Sequence, residues 1–381
     1  MNSKIKDFVQ VIIIGLFVFV FFFWCIIKPG PAYSERERRP LKEFPTLSVD
    51  TLLKGDKAGG FMGEFQTYST ERFPLRDMYM SIKSTVDYYF FKQLDSNGYF
   101  FVDGNVGQIV HPWNENSFAW ALECFDHLNE NAIKDKNCNV YVSVIPDKNA
   151  FIIDKYGYIG MDYDKALSYV EDNMSYAEYI DITDLLSLDD YYKTDTHWRQ
   201  EMITDVADRL AAEMGAELKG EYTKVKLDEL YGGTLYDKSP IPVDKEEFYY
   251  LNSDIIDDCV LKYFDEMGKL TETTVYDLEN GLEKDAYEIF LNGFNQSVLI
   301  LENPNATTDK ELVVFRDSFG SSLIPLLASG YKTITVIDIR EIASSYVVRF
   351  IEQGLIDSFD NKDVLFIYST LVLNNSSQLK K

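Results

Sequence analysis

Leu312-Val-Val-Phe-Arg-Asp-Ser-Phe-Gly320 decides the architecture of this 381-residue chain. Leu312 to Phe315 is a short unbroken apolar run, the pattern of a strand buried on both faces. Asp317 to Gly320 reads as a turn, and Ser321 to Ser329 as a short helix closed by Gly330. Thr333 to Ile337 is a second strand, Tyr346 to Gln353 a helix ending near Gly354, and Asp363 to Tyr368 a last strand. This βαβαβ order implies right-handed crossovers and an α/β fold with a parallel sheet flanked by helices. In open sheets of this kind ligands bind outside the carboxyl ends of the strands. Ser318 stands on such a turn.

Upstream, Asn139 to Ile145 is another buried strand, ending at Pro146-Asp147-Lys148. Helices are expected over 115–135 and 165–180, and a helix-rich cap over 61–95, where Met78, Ile82, Val86 and Phe90 recur at helical spacing. Gly98 to Val110 reads as a hairpin turning at Asp103-Gly104. After Asp195-Thr-His-Trp198, the residues Met202, Ile203, Val206, Ala207, Leu210, Ala211 and Met214 fall on one helix face, with Gly215 as its stop. Residues 220–300 hold Tyr, Thr, Asp and short β-like runs, read as a β-rich insertion.

Phe8 to Ile27 carries no charge and a single Gln. At about 1.5 Å per residue, such a helix spans a hydrocarbon core of roughly 30 Å. The run is longer than the about 7–15 apolar residues of a cleaved signal. The expected domain order is therefore an N-terminal transmembrane signal anchor at 1–28 with its N-terminus inside, a proline-bearing juxtamembrane stalk at 29–60, and an exported domain at 61–381.

Lys and Arg number 37 against 62 Asp and Glu, a formal charge of −25. That excludes nucleic acid and adsorption to anionic lipid, both of which need a basic face, and fits a neutral or weakly charged substrate such as a sugar. The four Cys (25, 124, 138, 259) form no CxxC, although Cys124 and Cys138 could pair. Three His (111, 127, 197) leave no multi-His metal site. No metal and no cofactor is expected.

The chemistry candidates follow from position. Ser318, between a strand and a helix N-terminus, sits beside backbone N–H groups suited to an oxyanion, or is simply the helix cap. Gly320 would let a substrate carbonyl approach the backbone. Asp195 and His197, two apart, share one side only in an extended segment; there the carboxylate would orient the imidazole, as in a Ser-His-Asp triad. The alternative is a surface capping segment. Arg316 either pairs with an acid or touches substrate, and Asp317 reads as a helix cap. Lys148 lines the same sheet edge or belongs to a solvated turn. Asn295 is an oxyanion donor or a residue after the Asn292-Gly293 turn. His111, beside Pro112-Trp113, reads as loop packing.

Together, Tyr192-Lys-Thr-Asp-Thr-His-Trp198 and Phe315-Arg-Asp-Ser-Phe-Gly-Ser-Ser322 resemble the DHHW family, which is related to the alginate O-acetyltransferases of the SGNH hydrolase superfamily. Glu37-Arg-Arg-Pro-Leu-Lys-Glu-Phe-Pro45, Arg72-Phe-Pro-Leu-Arg-Asp77, Pro146-Asp-Lys148 and Ile337-Asp-Ile-Arg340 extend the likeness over most of the chain. Thr196 stands where the family name has His, and Gly293-Phe-Asn295 departs from an expected Gly-Gly-Asn. The resemblance implies an SGNH-like sheet with Ser318 as nucleophile, His197 as base and Asp195 as its orienting acid. It also implies acetyl transfer to exopolysaccharide or cell-wall glycan outside the cytoplasm, with an acetyl donor and an integral membrane acyl-transport protein as partners. A carbohydrate acetylesterase and a non-catalytic glycan-binding scaffold are the alternatives.

Overall fold

The computed structural model describes residues 3–27, 30–34, 39–91, 95–96, 98–239, 241–265, 268–279, 285–291, 293 and 297–381. The chain divides into two compact units, Met1–Phe101 with Asp237–Val243, and Val102–Tyr236 with Asp244–Lys381.

The first unit is helical: α1 (Ser3–Ile27), α2 (Val49–Lys54), α3 (Phe61–Glu71) and α4 (Arg76–Tyr89). Helix α1 covers the apolar run. Among the described residues, however, no helix is long and apolar enough to cross a membrane. The expected stalk is not featureless. Ser48 caps α2 reciprocally with Thr51. Phe44 packs its ring edge-on against Phe61, Phe65 and Tyr68 of α3, and Arg39 pairs with Glu71 at 2.8 Å. Helix α4 has the expected periodicity, yet none of its residues is buried.

The second unit is an α/β sandwich. In chain order its main elements are α5 (Glu115–Leu128), β1 (Asn139–Ile145), α6 (Asn149–Tyr156), α7 (Tyr163–Asn173), β2 (Glu178–Tyr179), α8 (Thr204–Glu213), β3 (Val260–Phe264) and β4 (Leu270–Thr273). Then come β5 (Val298–Glu302), β6 (Glu311–Arg316), α9 (Gly320–Leu327), β7 (Thr333–Ile337), α10 (Ser344–Glu352), β8 (Asp363–Ser369) and α11 (Thr370–Asn374). One eight-stranded sheet has the order β4-β3-β5-β7-β6-β8-β1-β2. The five strands from β7 to β2 are parallel; β5, β3 and β4 add on antiparallel. The segment expected as an insertion is therefore split. Its β3, β4 and β5 extend the central sheet, while Thr223–Lys226 and Tyr249–Asn252 form a separate antiparallel pair.

Strand periodicity fixes which side each residue serves. Leu312 and Val314 of β6 join one core with α8 and α9. Val313 and Phe315 join the other with α5, α7 and α10. Every residue from Leu312 to Arg316 is buried, as a strand covered on both faces requires. The helix expected from Met202 starts at Thr204, so Met202 is exposed, but Ile203 to Met214 bury the predicted face. Gly215, at φ +66°, ends it. Asp103 and Gly104 both take positive φ, as a tight hairpin turn demands. Cys124 and Cys138 carry free thiols and do not pair.

Candidate active site

Two short turns build the site. The first is the loop 191–198, closed by a bridge between Tyr191 and Trp198 and by the Tyr192 N–H donating to the His197 carbonyl at 3.1 Å. Asp195 lies inside it and is fully buried. Its Oδ1 accepts the His197 backbone N–H at 2.9 Å, an Asx turn, and lies 2.5 Å from His197 Nδ1. The two side chains thus meet through a local turn, not through the extended segment expected. Asp195 Oδ2 accepts the Thr234 N–H at 2.5 Å. Burial pushes the carboxyl pKa up. The adjacent imidazole, its hydrogen bond and the N–H groups of Thr234 and His197 outweigh that, holding it well below the usual carboxylate range.

The second turn follows β6. Asp317 is fully buried; its Oδ1 accepts the Phe319 N–H at 3.0 Å, and its Oδ2 accepts the Ser369 N–H at 2.7 Å and hydroxyl at 2.6 Å. The expected helix cap is not what forms: α9 starts from Phe319 with no side-chain cap, and the Asp317 carboxylate instead makes an Asx turn ahead of the helix and ties that turn to the end of β8. Ser318 is left partly exposed. Its Oγ lies 2.8 Å from His197 Nε2. With Nδ1 facing Asp195, the neutral imidazole carries its proton there and presents Nε2 as the acceptor of the Ser318 hydroxyl.

The turns are locked together away from the reacting atoms. Trp198 is fully buried, and its Nε1–H lies 3.0 Å from both the Phe319 carbonyl and Ser322 Oγ. The Gln200 amide donates to the Ser322 carbonyl at 2.8 Å and accepts the Leu251 N–H at 2.7 Å. Tyr287 stacks flat on the His197 ring, with centroids 4.0 Å apart, and its hydroxyl lies 2.9 Å from Ser322 Oγ.

Ser318 and His197 open onto a cavity of about 450 Å³ that Gln108, His111, Arg340, Asn375 and Gln378 also line. Among the described residues no Asp or Glu lines it. His111, expected to pack in a loop, lines this cavity, with Nδ1 3.0 Å from the Gly160 carbonyl. The oxyanion pocket differs from the helix-end expectation. The Phe319 N–H is taken by Asp317 Oδ1, the Gly320 N–H by the Asp317 carbonyl and the Ser321 N–H by the Ser318 carbonyl. Of these four consecutive N–H groups, only that of Ser318 has no acceptor among the described residues.

Three other candidates lie elsewhere. Arg316 is fully buried and pairs with Asp338 at 3.4 Å, which Arg340 also grips at 2.6 Å. It therefore serves the acid and does not reach the cavity. Gly320 faces inward: an added Cβ would fall 2.8 Å from Arg316 Cβ, so close packing requires this glycine. Lys148 is buried below the loop 191–198, away from the cavity. Asn295 lies outside the described residues.

Several contributors had little sequence signal. Thr234 is reached through Gly233, whose added Cβ would sit 2.3 Å from Asp195 Cβ. Glu246 accepts from the backbone N–H groups of Lys193 and Thr194 at 3.1 and 2.9 Å. A Gly232-Gly233 pair announces a turn, but not the carboxylate it approaches.

No family model and no curated protein matches the chain. Solved structures do. Bacillus cereus PatB1, in a structure with a sulfonyl adduct, is 19% identical with a TM-score of 0.60, covering 76% of this chain and 99% of that one. A DHHW family protein from Eubacterium siraeum DSM 15702 is 18% identical with a TM-score of 0.56, covering 75% of this chain and 97% of that one. The O-acetyltransferase domain of Pseudomonas putida AlgJ is 11% identical with a TM-score of 0.39, covering 68% and 84%. The fold is thus one that a DHHW family protein shares, in line with the resemblance its two motifs carry.

Proposed function

We propose that this chain is a Ser-His-Asp acyltransferase that moves acetyl groups onto exopolysaccharide or cell-wall glycan outside the cytoplasm. The observation that carries the reading is one imidazole within hydrogen-bond reach of Asp195 on one side and Ser318 on the other. His197 Nε2 takes the Ser318 proton as Oγ attacks the acetyl carbonyl carbon. The Ser318 N–H faces the developing oxyanion. Collapse breaks the acetyl C–O bond to the donor, whose leaving oxygen takes the proton from Nε2. A glycan hydroxyl then gives its proton to Nε2 and attacks the acetyl-serine, which releases the acetylated glycan and free Ser318. Asp195 keeps the proton on Nδ1 before each attack and stabilises the imidazolium after it.

The partial exposure of Ser318 also favours a second reading, in which water replaces the glycan and the enzyme is an acetylesterase. Helix α1 and the 20-residue apolar run are the basis for proposing a signal anchor, with an integral membrane acyl-transport protein as the source of acetyl groups.

Incubating the protein with an acetyl-ester donor, with and without glycan oligomers, tests the reading. Mass spectrometry should find acetyl on Ser318, a sulfonyl fluoride should block it, and acetylated glycan should accumulate. Free acetate without acceptor dependence selects the esterase. Finding no adduct and no product with Ser318 intact removes both enzyme readings and leaves the glycan-binding scaffold.

A further inference from the structure

Lys148 is a buried ammonium that the chemistry above does not use. It lies three residues beyond the end of β1 and stands at the start of α6. Its Nζ donates to the Tyr192 and Lys193 carbonyls, each at 3.1 Å. From the other direction, the Glu246 carboxylate accepts the N–H groups of Lys193 and Thr194 and the Thr194 hydroxyl. The peptide groups just before Asp195 are therefore held between a cation on their carbonyls and an anion on their N–H groups. A buried lysine is costly unless its charge is answered. The charges that answer it are Asp195, Glu246 and Asp147.

We propose that Lys148 is a positioning residue for acetyl transfer, setting the loop 191–198 so that His197 meets Ser318. The proposal rests on the acetyl-transfer reading of the site. Its physical basis is that a misplacement of about 1 Å away from the reacting atoms can slow a reaction about 10²-fold, and His197 Nε2 is held 2.8 Å from Ser318 Oγ by a loop that Lys148 anchors. Burial also lowers the ammonium pKa to about 8, against the pull of the three carboxylates. The clamp then weakens as the amine loses its proton above that pH, because bonds from a charged donor are the stronger ones.

The test uses the full chain, hydrolysis of p-nitrophenyl acetate, and Ser318→Ala as the blank at each pH. Lys148→Met should lower kcat about 10²-fold with KM little changed. The wild-type rate should fall severalfold above about pH 8. Lys148→Arg, protonated throughout, should restore turnover and carry it to higher pH. A purely structural lysine would move the melting temperature but not the alkaline limb. Wild-type kcat in Lys148→Met, a flat wild-type profile from about pH 7 to 10, or a limb that stays in place in Lys148→Arg overturns the proposal. Should Lys148→Met fail to fold, the wild-type and Lys148→Arg profiles decide alone. If the wild type shows no Ser318-dependent turnover, the acetyl-transfer reading falls and this proposal with it; if such turnover is present but indifferent to Lys148, only the positioning role falls.

Discussion

Replacing Asp195 by Asn changes one oxygen to an NH2 group and asks the site to choose between two poor orientations. In the native site Oδ1 accepts the His197 N–H and faces Nδ1, while Oδ2 accepts the Thr234 N–H. If the amide keeps its oxygen toward His197, its NH2 points at the Thr234 N–H, donor against donor at 2.5 Å in the native spacing. The imidazole then keeps its tautomer but loses the charge that stabilises its cation. A hydrogen bond to a charged group contributes about 1.5–3 kcal/mol, so the rate falls roughly 10- to 150-fold. If the amide turns over, NH2 faces the His197 N–H and Nδ1. The ring then protonates on Nε2 and cannot take the Ser318 proton, the state that costs about 10⁴ in the serine-protease precedent. Each orientation leaves one donor opposed, so both are populated and the faster first one carries most of the turnover; with about half the molecules in each, kcat should fall by roughly 20- to 300-fold. The assay is Ser318-dependent turnover of an acetyl ester, with thermal unfolding followed in parallel. A loss of tenfold or less would refute the role given to Asp195. Stability carries a second signature. A carboxyl held below its ordinary pKa stabilises the fold above its unfolded value of about 3.9 and loses that contribution as pH falls toward the folded value. The stability gap between wild type and Asp195→Asn should therefore be widest near neutrality and shrink in acid.

Three further outcomes are expected. Ser318→Ala and His197→Ala should each lower kcat by at least about 10³-fold while the melting temperature changes little, since neither side chain anchors the sheet; measured turnover near wild type in both would remove the nucleophile and base. Gly233→Ala should cut kcat at least about tenfold and lower the melting temperature, because its Cβ would fall 2.5 Å from Asp195 Oδ2; unchanged kinetics would show that the carboxylate tolerates displacement. Burial pushes the Cys124 and Cys259 thiols up to about 11, so at about pH 8 iodoacetamide should label them only after unfolding. Native-state labelling by mass spectrometry is the check.

What the sequence made legible was set by periodicity and by residues with one dominant use. Leu312 to Phe315 could hardly be anything but a buried strand, and Ile203 to Met214 could hardly avoid being an amphipathic helix, so the sheet edge carrying Ser318 was placed correctly. The approach of His197 to Ser318 came from two motifs read together, not from either alone. Arg316 pairs with an acid, one of its two readings, while Gly320 and Lys148 stand near the expected edge but face neighbours that no local pattern names. Whether a side chain at a strand end turns into the cavity or beneath a loop depends on packing partners far away in sequence, Asp338 for Arg316 and the Tyr192 carbonyl for Lys148. The antiparallel strands β3 to β5 were visible as β-like runs, but their membership of the main sheet depends on pairing with β7, which no local pattern encodes.

The indole of Trp198, bonded across to Phe319 and Ser322, has a consequence for the order in which the molecule matures. The base is translated 121 residues before the hydroxyl it would activate, and its acid two residues earlier still. The strand preceding that hydroxyl is seated between two strands that leave the ribosome later still, β7 and β8. A nascent or truncated chain ending before β8 can hold a well-formed imidazole–carboxylate pair and still be chemically silent. Reactivity would switch on only when the final strand closes the sheet.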